Sequence, residues 1–461
     1  MKISSHKFST ILDLSSKGFA LTLSLLVMIR WWYYINNYSV NILFWDQWDF
    51  YDAFFESHNL WEVFRWQVGP HRQGVGGILT EIVAQLSGWN NRVEAFTIGG
   101  IVCLAMFCGL ILKRRLYNSW SWSDVAIPLM FLTPLQYEMF AGTPNLSHGS
   151  VPLFLLIVYC LVWTLSISPL RYMSILFVNF LLIFTGFGVF IGIITPVMII
   201  MEYSCMNRVL KNKERLLLLV SLLVSLLSAG AFFVGYRFRP AVPNFEFPVD
   251  QYWAKYPLFI SIALANFCGV KDVPLLIIAP VGFICLFVMI GIEVFHARRF
   301  VTLSRQSPIA YGEMNLSQII LILTTFTLIF SINLAIGRIS LGLEAAQASR
   351  YVTYLIPGFL GIYLHILASN RQENRALLSI ILVTGLLWAS FPLRDSDLQI
   401  LESYRSGKIR WKNCYLKTED IEKSNQLSGI KVHPDPERTH LRSKLDYLKR
   451  RELNLYLDHL E

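Results

Sequence analysis

The chain has 461 residues, of which 54% are hydrophobic and 15% are charged. A soluble domain normally carries about 25% charged residues, so this composition excludes an ordinary soluble enzyme and indicates a membrane protein. The net charge of +9 would suggest a nucleic-acid ligand in a soluble protein. Here the basic residues cluster at the ends of apolar runs, so membrane topology explains them and no nucleic-acid partner is expected.

Apolar runs close to the length that crosses a bilayer recur along the whole chain. About eleven are expected to be transmembrane helices, at 17–37, 94–112, 122–138, 149–166, 172–186, 188–204, 216–236, 274–295, 316–335, 351–368 and 375–392. A shorter run at 256–268 predicts an interfacial or re-entrant helix. The expected fold class is all-α: a polytopic transmembrane bundle over residues 1–392, followed by a polar C-terminal tail over residues 393–461.

Basic residues in alternate loops predict the orientation of the bundle. The basic loops contain KRR at 113–115, Arg171, NRVLKNKER at 207–215, HARRF at 296–300 and RQENR at 371–375. Because Lys and Arg accumulate in cytoplasmic loops, the N-terminus is expected inside. The first loop, 38–93, is then extracytoplasmic, and the parity of eleven spans places the tail on the same side.

The first external loop opens with FWDQWDFYDAFF at 44–55, which sets Asp46, Asp49 and Asp52 among seven aromatic residues. On a helix these carboxylates and Glu56 share an arc of about 120°, which predicts an interfacial helix with its rings toward lipid. Solvated charge is the simplest interpretation of Asp52 and Glu56. Asp46 and Asp49 lie close to the end of the first span, where desolvation raises the pKa of a carboxylate and prepares it to act as a general base.

Two further polar stretches follow in external loops. In RWQVGPHRQGVGG at 65–77, His71 is suited to shuttling a proton and Arg72 to clamping a phosphate, although a turn with exposed polar residues is the alternative. Glu138 ends one run, and its neighbourhood is suited either to binding sugar hydroxyls or to capping helix ends. Arg237 and Arg239 at an outer helix end suggest an anionic ligand, with snorkelling as the alternative.

The stretch GRISLGLEAAQASRYVTY at 337–354 lies between two late runs. Arg338 and Arg350 are both expected to be external, with Gln347 and Tyr351 between or beside them. Two arginines at the membrane rim are suited to holding a phosphate or pyrophosphate, because the planar guanidinium pairs with phosphate oxygens. A structural Arg–Glu pair is the alternative.

These motifs, in this order, resemble those of the polytopic GT-C class of glycosyltransferases and of a set of poorly characterised bacterial membrane proteins. In GT-C enzymes an acidic pair in the first external loop supports attack by the acceptor on a sugar carried by a lipid phosphate. By position, the resemblance implies Asp46 and Asp49 as catalytic residues. The match of QASRYVTY to a late-loop signature implies roles for Arg350 and Tyr351.

The GPHRQG stretch matches a His-Arg site that often contains additional His or Glu residues in these proteins. Those residues are missing here, which argues against a multi-ligand metal site at His71. The expected substrate-binding residues are His71, Arg72, Glu138, Arg237, Arg338, Gln347, Arg350 and Tyr351.

The resemblance implies a hexosyltransferase of the bacterial inner membrane that transfers a sugar from a polyprenyl-phosphate donor to a cell-envelope glycan or lipid, such as lipopolysaccharide. The acidic pair either accepts the acceptor proton or holds a divalent cation that activates the acceptor. Two alternatives stay open: an O-antigen-polymerase-like protein, and a transporter or flippase for lipid-linked sugars. A transporter is expected to place ionisable residues in the middle of spans.

Overall fold

The computed structural model describes residues 2–56, 59–206, 211–238, 253–306, 311–391 and 393–460. In chain order its helices are α1 (Lys2–Tyr38), α2 (Gln47–Phe50), α3 (Asp52–Glu56), α4 (Leu60–Arg65), α5 (Gly74–Ser87), α6 (Asn91–Tyr117), α7 (Ala126–Phe131), α8 (Ser150–Trp163), α9 (Pro169–Ile183), α10 (Ile191–Met206), α11 (Asn212–Phe232), α12 (Lys255–Phe267), α13 (Leu275–Gln306), α14 (Tyr311–Arg338), α15 (Val352–Leu367), α16 (Gln372–Ser390), α17 (Asp395–Thr418), α18 (Ile421–Ser428) and α19 (Leu441–Arg450).

Short elements connect these helices. The strands β1 (Gln67–Val68) and β2 (His71–Arg72) form an antiparallel pair between α4 and α5. Short 3-10 helices occupy Trp122–Val125, Pro134–Met139, Gly186–Phe190, Ile339–Leu341, Leu343–Gln347, Ser349–Tyr351 and Asn454–Leu460. The all-α prediction is therefore confirmed over the described part of the chain.

Six helices in the described residues are long and apolar enough to cross a membrane: Ser15–Tyr38, Asn91–Tyr117, Gly186–Ser204, Asn212–Phe232, Leu275–Leu303 and Met314–Leu341. Each coincides with a predicted span. The predicted span 375–392 corresponds to α16, which is bent by 43° against α17. The other four predicted spans fall on shorter elements. The structure therefore supports a polytopic helical protein, and the count of eleven spans stays a prediction.

The predicted span at 122–138 is broken rather than continuous. The helix α7 ends at Phe131, Thr133 is extended, and Pro134 begins a new 3-10 helix. Proline disfavours helical backbone at the preceding residue and lacks an N–H to continue the ladder, which explains the break. The segment is nevertheless deeply buried, and it brings Glu138 to the same face as the first loop.

The tail is folded onto the first loop and shares a hydrophobic core with it. Trp48, Tyr51 and Phe54 of the loop are buried in one cluster with Trp411 and Leu445 of the tail. The tail is therefore not a free polar segment. These rings face protein, whereas the sequence predicted that they would face lipid. Because the two regions share a core, the first loop and the tail lie on one face of the bundle.

The acidic stretch is also shaped differently from the single helix that its periodicity predicts. Trp45 has a φ of 52°, α2 ends at Phe50, and a separate short helix begins at Asp52. The backbone of Trp45 donates to Val432 O at 2.7 Å, so the tail fixes this turn. As a result the carboxylates point to different partners instead of forming one stripe.

Candidate functional site

A cavity of 1130 Å³ lies where the first loop, the 134–148 segment, the start of β2, the end of α14 and the tail meet. Seven of the residues predicted to be catalytic or substrate-binding line it: Asp46, Asp49, His71, Glu138, Arg338, Arg350 and Tyr351. They are separated by up to 305 positions in the chain (46 to 351). The structure thus brings the early acidic loop and the late arginine loop to a single place.

Arg350 links two carboxylates on one wall of the cavity, Asp46 and Glu138. Its Nη1 atom lies 4.0 Å from Asp46 Oδ2, and its backbone N–H donates to Glu138 Oε2 at 2.9 Å. Burial by itself lowers the pKa of Arg350, but the surrounding anionic groups, Glu138 foremost, raise it above its ordinary value. Both Arg350 and Asp46 keep nearly half of their side-chain surface exposed, so each remains open to a ligand.

Ser349 fixes the late loop against the broken segment. Its Oγ donates to Leu135 O at 2.6 Å and accepts from the backbone N–H of Glu138 at 3.1 Å. Thr353 adds a bond to Gln136 Oε1 at 2.9 Å. These buried bonds hold the backbone on either side of Arg350, so the guanidinium is positioned from a rigid base.

Arg338 lines the same cavity at the end of α14. Among the described residues it makes no hydrogen bond or ion pair, and its positive charge acts on His71. A half-buried cation beside an open cavity, without a counter-charge of its own, is suited to an anionic group of a ligand.

Asp49 faces the cavity but is held by the tail. Thr439 donates to its Oδ1 at 3.1 Å, His433 Nε2 lies 3.6 Å from Oδ2, and Arg438 Nη2 lies 3.4 Å from Oδ2. Burial by itself raises the pKa of Asp49, but these tail groups together outweigh it and hold the pKa below its ordinary value. The raised pKa expected for a general base is therefore not found at Asp49.

Asp52 is paired with the tail in a different way. Lys444 forms an ion pair with it and also donates to Trp48 O at 2.9 Å. Burial raises the pKa of Asp52, and Lys444 offsets part of that rise. Asp52 therefore belongs to the contact between loop and tail, in addition to lining the cavity.

Two histidines form the inner wall. The rings of His71 and His148 have centroids 5.3 Å apart, and His148 stacks on Phe50 at 4.9 Å. Burial, with the positive charges nearby, lowers the pKa of His71 well below its ordinary value and that of His148 to about 4. Both imidazoles are thus neutral at physiological pH and can exchange hydrogen bonds with an uncharged ligand.

Three of the expected substrate-binding residues lie outside this cavity. The Arg72 guanidinium is buried and donates to the carbonyls of Phe232, Arg65 and Val234, so it stabilises the β-hairpin instead of clamping a phosphate. Arg237 is exposed, and its backbone N–H and C=O form hydrogen bonds with the side-chain amide of Gln67, a cavity-lining residue. Arg239 falls outside the described residues. Gln347 lines a second, neighbouring cavity.

The tail residues at the site were missed by sequence reasoning. His433, Arg438, Thr439 and Lys444 all lie in VHPDPERTHLRSK at 432–444. The available signal was the concentration of His, Arg and Lys on a segment expected to share the face of an acidic loop. Opposite charges of that kind attract, but only the fold shows which groups pair.

Among the described residues, no group of three or more His, Cys, Asp or Glu side chains is arranged to hold a metal ion. No model of a known protein family matches the chain, and no curated protein is similar to it in sequence.

Proposed function

We propose that this protein is a membrane glycosyltransferase that moves a sugar from a polyprenyl-phosphate donor to a glycan or lipid of the bacterial cell envelope. The observation that carries the proposal is the cavity wall on which Arg338, which makes no ion pair within the described residues, accompanies the Asp46–Arg350–Glu138 group. Such a wall offers a cation to a leaving phosphate and a carboxylate to an acceptor hydroxyl.

These groups can provide each step of the sugar transfer. The acceptor oxygen attacks the anomeric carbon of the donor sugar, and the bond from that carbon to the phosphate oxygen breaks. The phosphate leaves with the bonding electron pair and gains negative charge, which Arg338 and Arg350 stabilise. The acceptor proton passes to Asp46, which is accessible from the cavity and is not engaged by the tail.

Asp46 is the better candidate for the base than Asp49. The carboxylate of Asp49 is already shared among tail groups that favour its ionised form. In the described chain, Asp46 makes no hydrogen bond or ion pair with those tail groups and keeps nearly half of its side chain exposed to a ligand. Asp49 then acts by holding the tail against the loop. This assigns separate tasks to the two residues of the acidic pair.

A chromosomal deletion complemented with plasmid-borne variants tests the function in cells. Wild-type protein should restore the missing envelope glycan, and the deletion strain should accumulate a polyprenyl-phosphate sugar detectable by mass spectrometry of extracted lipids. Asp46→Asn should fail to restore the glycan at unchanged protein level, while Asp52→Asn should restore most of it. An unchanged profile of lipid-linked sugars and envelope glycans in the deletion strain would exclude the proposal.

The proposal also requires the cavity to face outward from the plasma membrane. Single cysteines replacing the exposed residues Trp61 and Leu427 in a cysteine-free background should react with an impermeant maleimide added to intact cells. A cysteine at exposed Lys213 should react only after the membrane is opened. Labelling of Lys213→Cys without labelling of the other two would contradict the orientation.

A transporter is a second candidate, favoured by ionisable groups within the helices. His296 Nε2 lies 2.9 Å from His365 Nδ1, and Glu293 accepts hydrogen bonds from Thr324 and Thr325. None of these residues lines the 1130 Å³ cavity. Membrane vesicles that contain the envelope acceptors and are loaded with a fluorescent polyprenyl-phosphate sugar separate the two functions. A transporter moves the intact lipid between leaflets, whereas a transferase passes the sugar to an acceptor and releases the polyprenyl phosphate.

A further inference from the structure

A second cavity, of 690 Å³, lies beside the first and shares one side chain with it. Its walls come from the end of α12, the start of α13, the Leu343–Gln347 helix and α17. Glu138 lines both cavities. Groups bound in the two cavities would therefore share Glu138 as a neighbour.

The backbone around this cavity is held in place by close packing. The helix α12 crosses α13 at Gly282, where a Cβ atom would lie 1.7 Å from the carbonyl oxygen of Ser261. Asn266 Nδ2, near the end of α12, donates to Gln347 O at 3.0 Å and ties that helix to the late loop. These contacts hold α12 closely against α13 and against the late loop, beside the cavity.

Most charged groups in the second cavity are already engaged with one another. Lys271 Nζ lies 3.2 Å from Asp397 Oδ1, and Asp272 accepts a hydrogen bond from Ser396 at 2.5 Å. In the described chain, the side-chain amide of Gln347 and the hydroxyl of Tyr404 have no hydrogen-bond partner, and the Glu344 carboxylate has no ion-pair partner. These groups offer hydrogen-bond donors and acceptors, while Lys271, the cation that lines the cavity, is already paired with Asp397.

The charges make the two cavities suited to different ligands. An anion in the second cavity would meet Glu138 and Glu344 without a free positive charge to compensate them, which disfavours a phosphate. An uncharged group with many hydroxyls would find an amide, carboxylates and tyrosine rings. Amphipathic rings of that kind present an apolar face together with a polar edge, which matches the surface of a sugar.

The second cavity also lies at the apolar surface of the bundle. Leu275 and Ile278 line it, and the adjacent Leu276 is 85% exposed. In a membrane such an exposed leucine faces lipid. A ligand with a hydrocarbon anchor can therefore lie in the bilayer beside α13 and place its headgroup in the cavity.

We infer that the second cavity is the binding site for the uncharged sugar headgroup of a lipid-anchored acceptor, with Glu138 between it and the donor cavity. This inference rests on the proposed function and names the acceptor that the reaction requires. Gln347 and Tyr404 are the residues that recognise hydroxyl groups. The donor phosphate remains with Arg338 on the other side of Glu138.

Equilibrium binding of two radiolabelled probes to the full-length protein in phosphatidylcholine nanodiscs tests the inference. Dodecyl maltoside below its critical micelle concentration represents a neutral glycolipid headgroup, and dodecyl phosphate represents the anionic group of the donor. Binding to empty nanodiscs is subtracted. A Gln347→Ala/Tyr404→Phe double variant should bind dodecyl maltoside about tenfold or more weakly, since two hydrogen bonds are lost, and should bind dodecyl phosphate as wild type does.

Two further variants are measured, one as a control and one that changes the donor cavity. A Tyr33→Phe/Gln372→Ala double variant changes the same kinds of atoms at exposed positions outside both cavities and should bind both probes normally. Arg338→Gln should weaken only dodecyl phosphate. Absence of dodecyl maltoside binding to wild type, or binding unaffected by the Gln347/Tyr404 double variant, would overturn the second site. Failure of dodecyl phosphate to bind in an Arg338-dependent manner would instead count against the proposed function.

Discussion

The cavity has two walls whose charges are arranged in contrasting ways. On the tail wall, Asp49 is surrounded by His433, Thr439 and Arg438, and Asp52 is paired with Lys444. On the bundle wall, Arg338 has no partner in the described chain, and Asp46 lies at the limit of an ion pair with Arg350. Both walls derive from segments rich in Asp and Arg, so composition alone does not distinguish them.

The contrast shows which charges maintain the fold and which are available to a ligand. A buried or half-buried charge needs a counter-charge. Where the protein itself provides that counter-charge, the charged side chain stabilises the fold and is not free to bind a ligand. A charge that faces a cavity without a full partner keeps its binding capacity for a ligand. Four predictions break or sharpen this distinction.

The largest effect is expected at Asp46. Asp46→Asn should lower sugar transfer by roughly 10²–10⁴-fold, the usual loss when a general base is removed. Transfer is measured in membranes supplied with a lipid-linked sugar, at equal protein amount. Asp52→Asn serves as the matched control and should stay close to wild type. Equal activity of the two variants would remove the distinction between the walls.

The next largest effect is expected at Arg338. Arg338→Gln removes the charge that meets the donor phosphate and should raise the apparent KM for the donor by roughly 10–100-fold, the range for a lost charge-assisted hydrogen bond. Arg237→Gln changes an exposed arginine outside the cavity and should leave the KM unchanged. A donor KM that is the same in both variants would count against a phosphate site at Arg338.

A moderate effect on stability is expected at Lys444. Lys444→Met leaves Asp52 without its ion-pair partner and removes the hydrogen bond to Trp48 O, which should weaken docking of the tail by about 1–3 kcal/mol. Hydrogen exchange of the tail amides measures the change. Lys449→Met breaks the exposed pair with Glu419 and should shift exchange by less than about 1 kcal/mol. Similar exchange in both variants would show that the Lys444–Asp52 pair contributes no more to tail docking than the Lys449–Glu419 pair.

The smallest effect is a difference in pH dependence between the two paired carboxylates. The pKa of Asp49 is lowered on folding, so its contacts stabilise the docked tail above the unfolded pKa of about 3.9 and are lost as pH falls through the folded value. The pKa of Asp52 is raised, so its contribution becomes more favourable as pH falls toward the unfolded value.

The two single variants expose these opposite signs. In Asp52→Asn the tail should loosen on acidification below about pH 4, while in Asp49→Asn acidification from neutral pH should tighten it. Limited proteolysis with an acid-active protease across the pH range detects both trends. The same trend in both variants would contradict the opposite pKa shifts.

Much of the cavity was predictable because topology constrains it. Once alternate loops are assigned to one face, Asp46, Glu138 and Arg350 must share that face, whatever the details of packing. The role of Arg72 was not predictable, because an arginine that binds carbonyl oxygens and one that binds phosphate have the same local sequence. The tail was misjudged for another reason: its few apolar residues find their partners among residues about 400 positions earlier, a match that no local pattern encodes.

The same long-range match has a consequence for how the protein is made. Asn41 Nδ2 donates to Asn454 O, and the Asn454 side chain in turn binds Leu43 N and Trp89 O, so residues 413 positions apart form one buried amide cluster. Chains emerge from the ribosome N-terminus first, at about 5–20 residues per second. The first loop therefore waits at least tens of seconds, outside the bilayer, for the segment that covers its aromatic side. Until the tail is synthesised those rings lack their native covering, and exposed apolar surface of that kind makes a folding intermediate prone to aggregation.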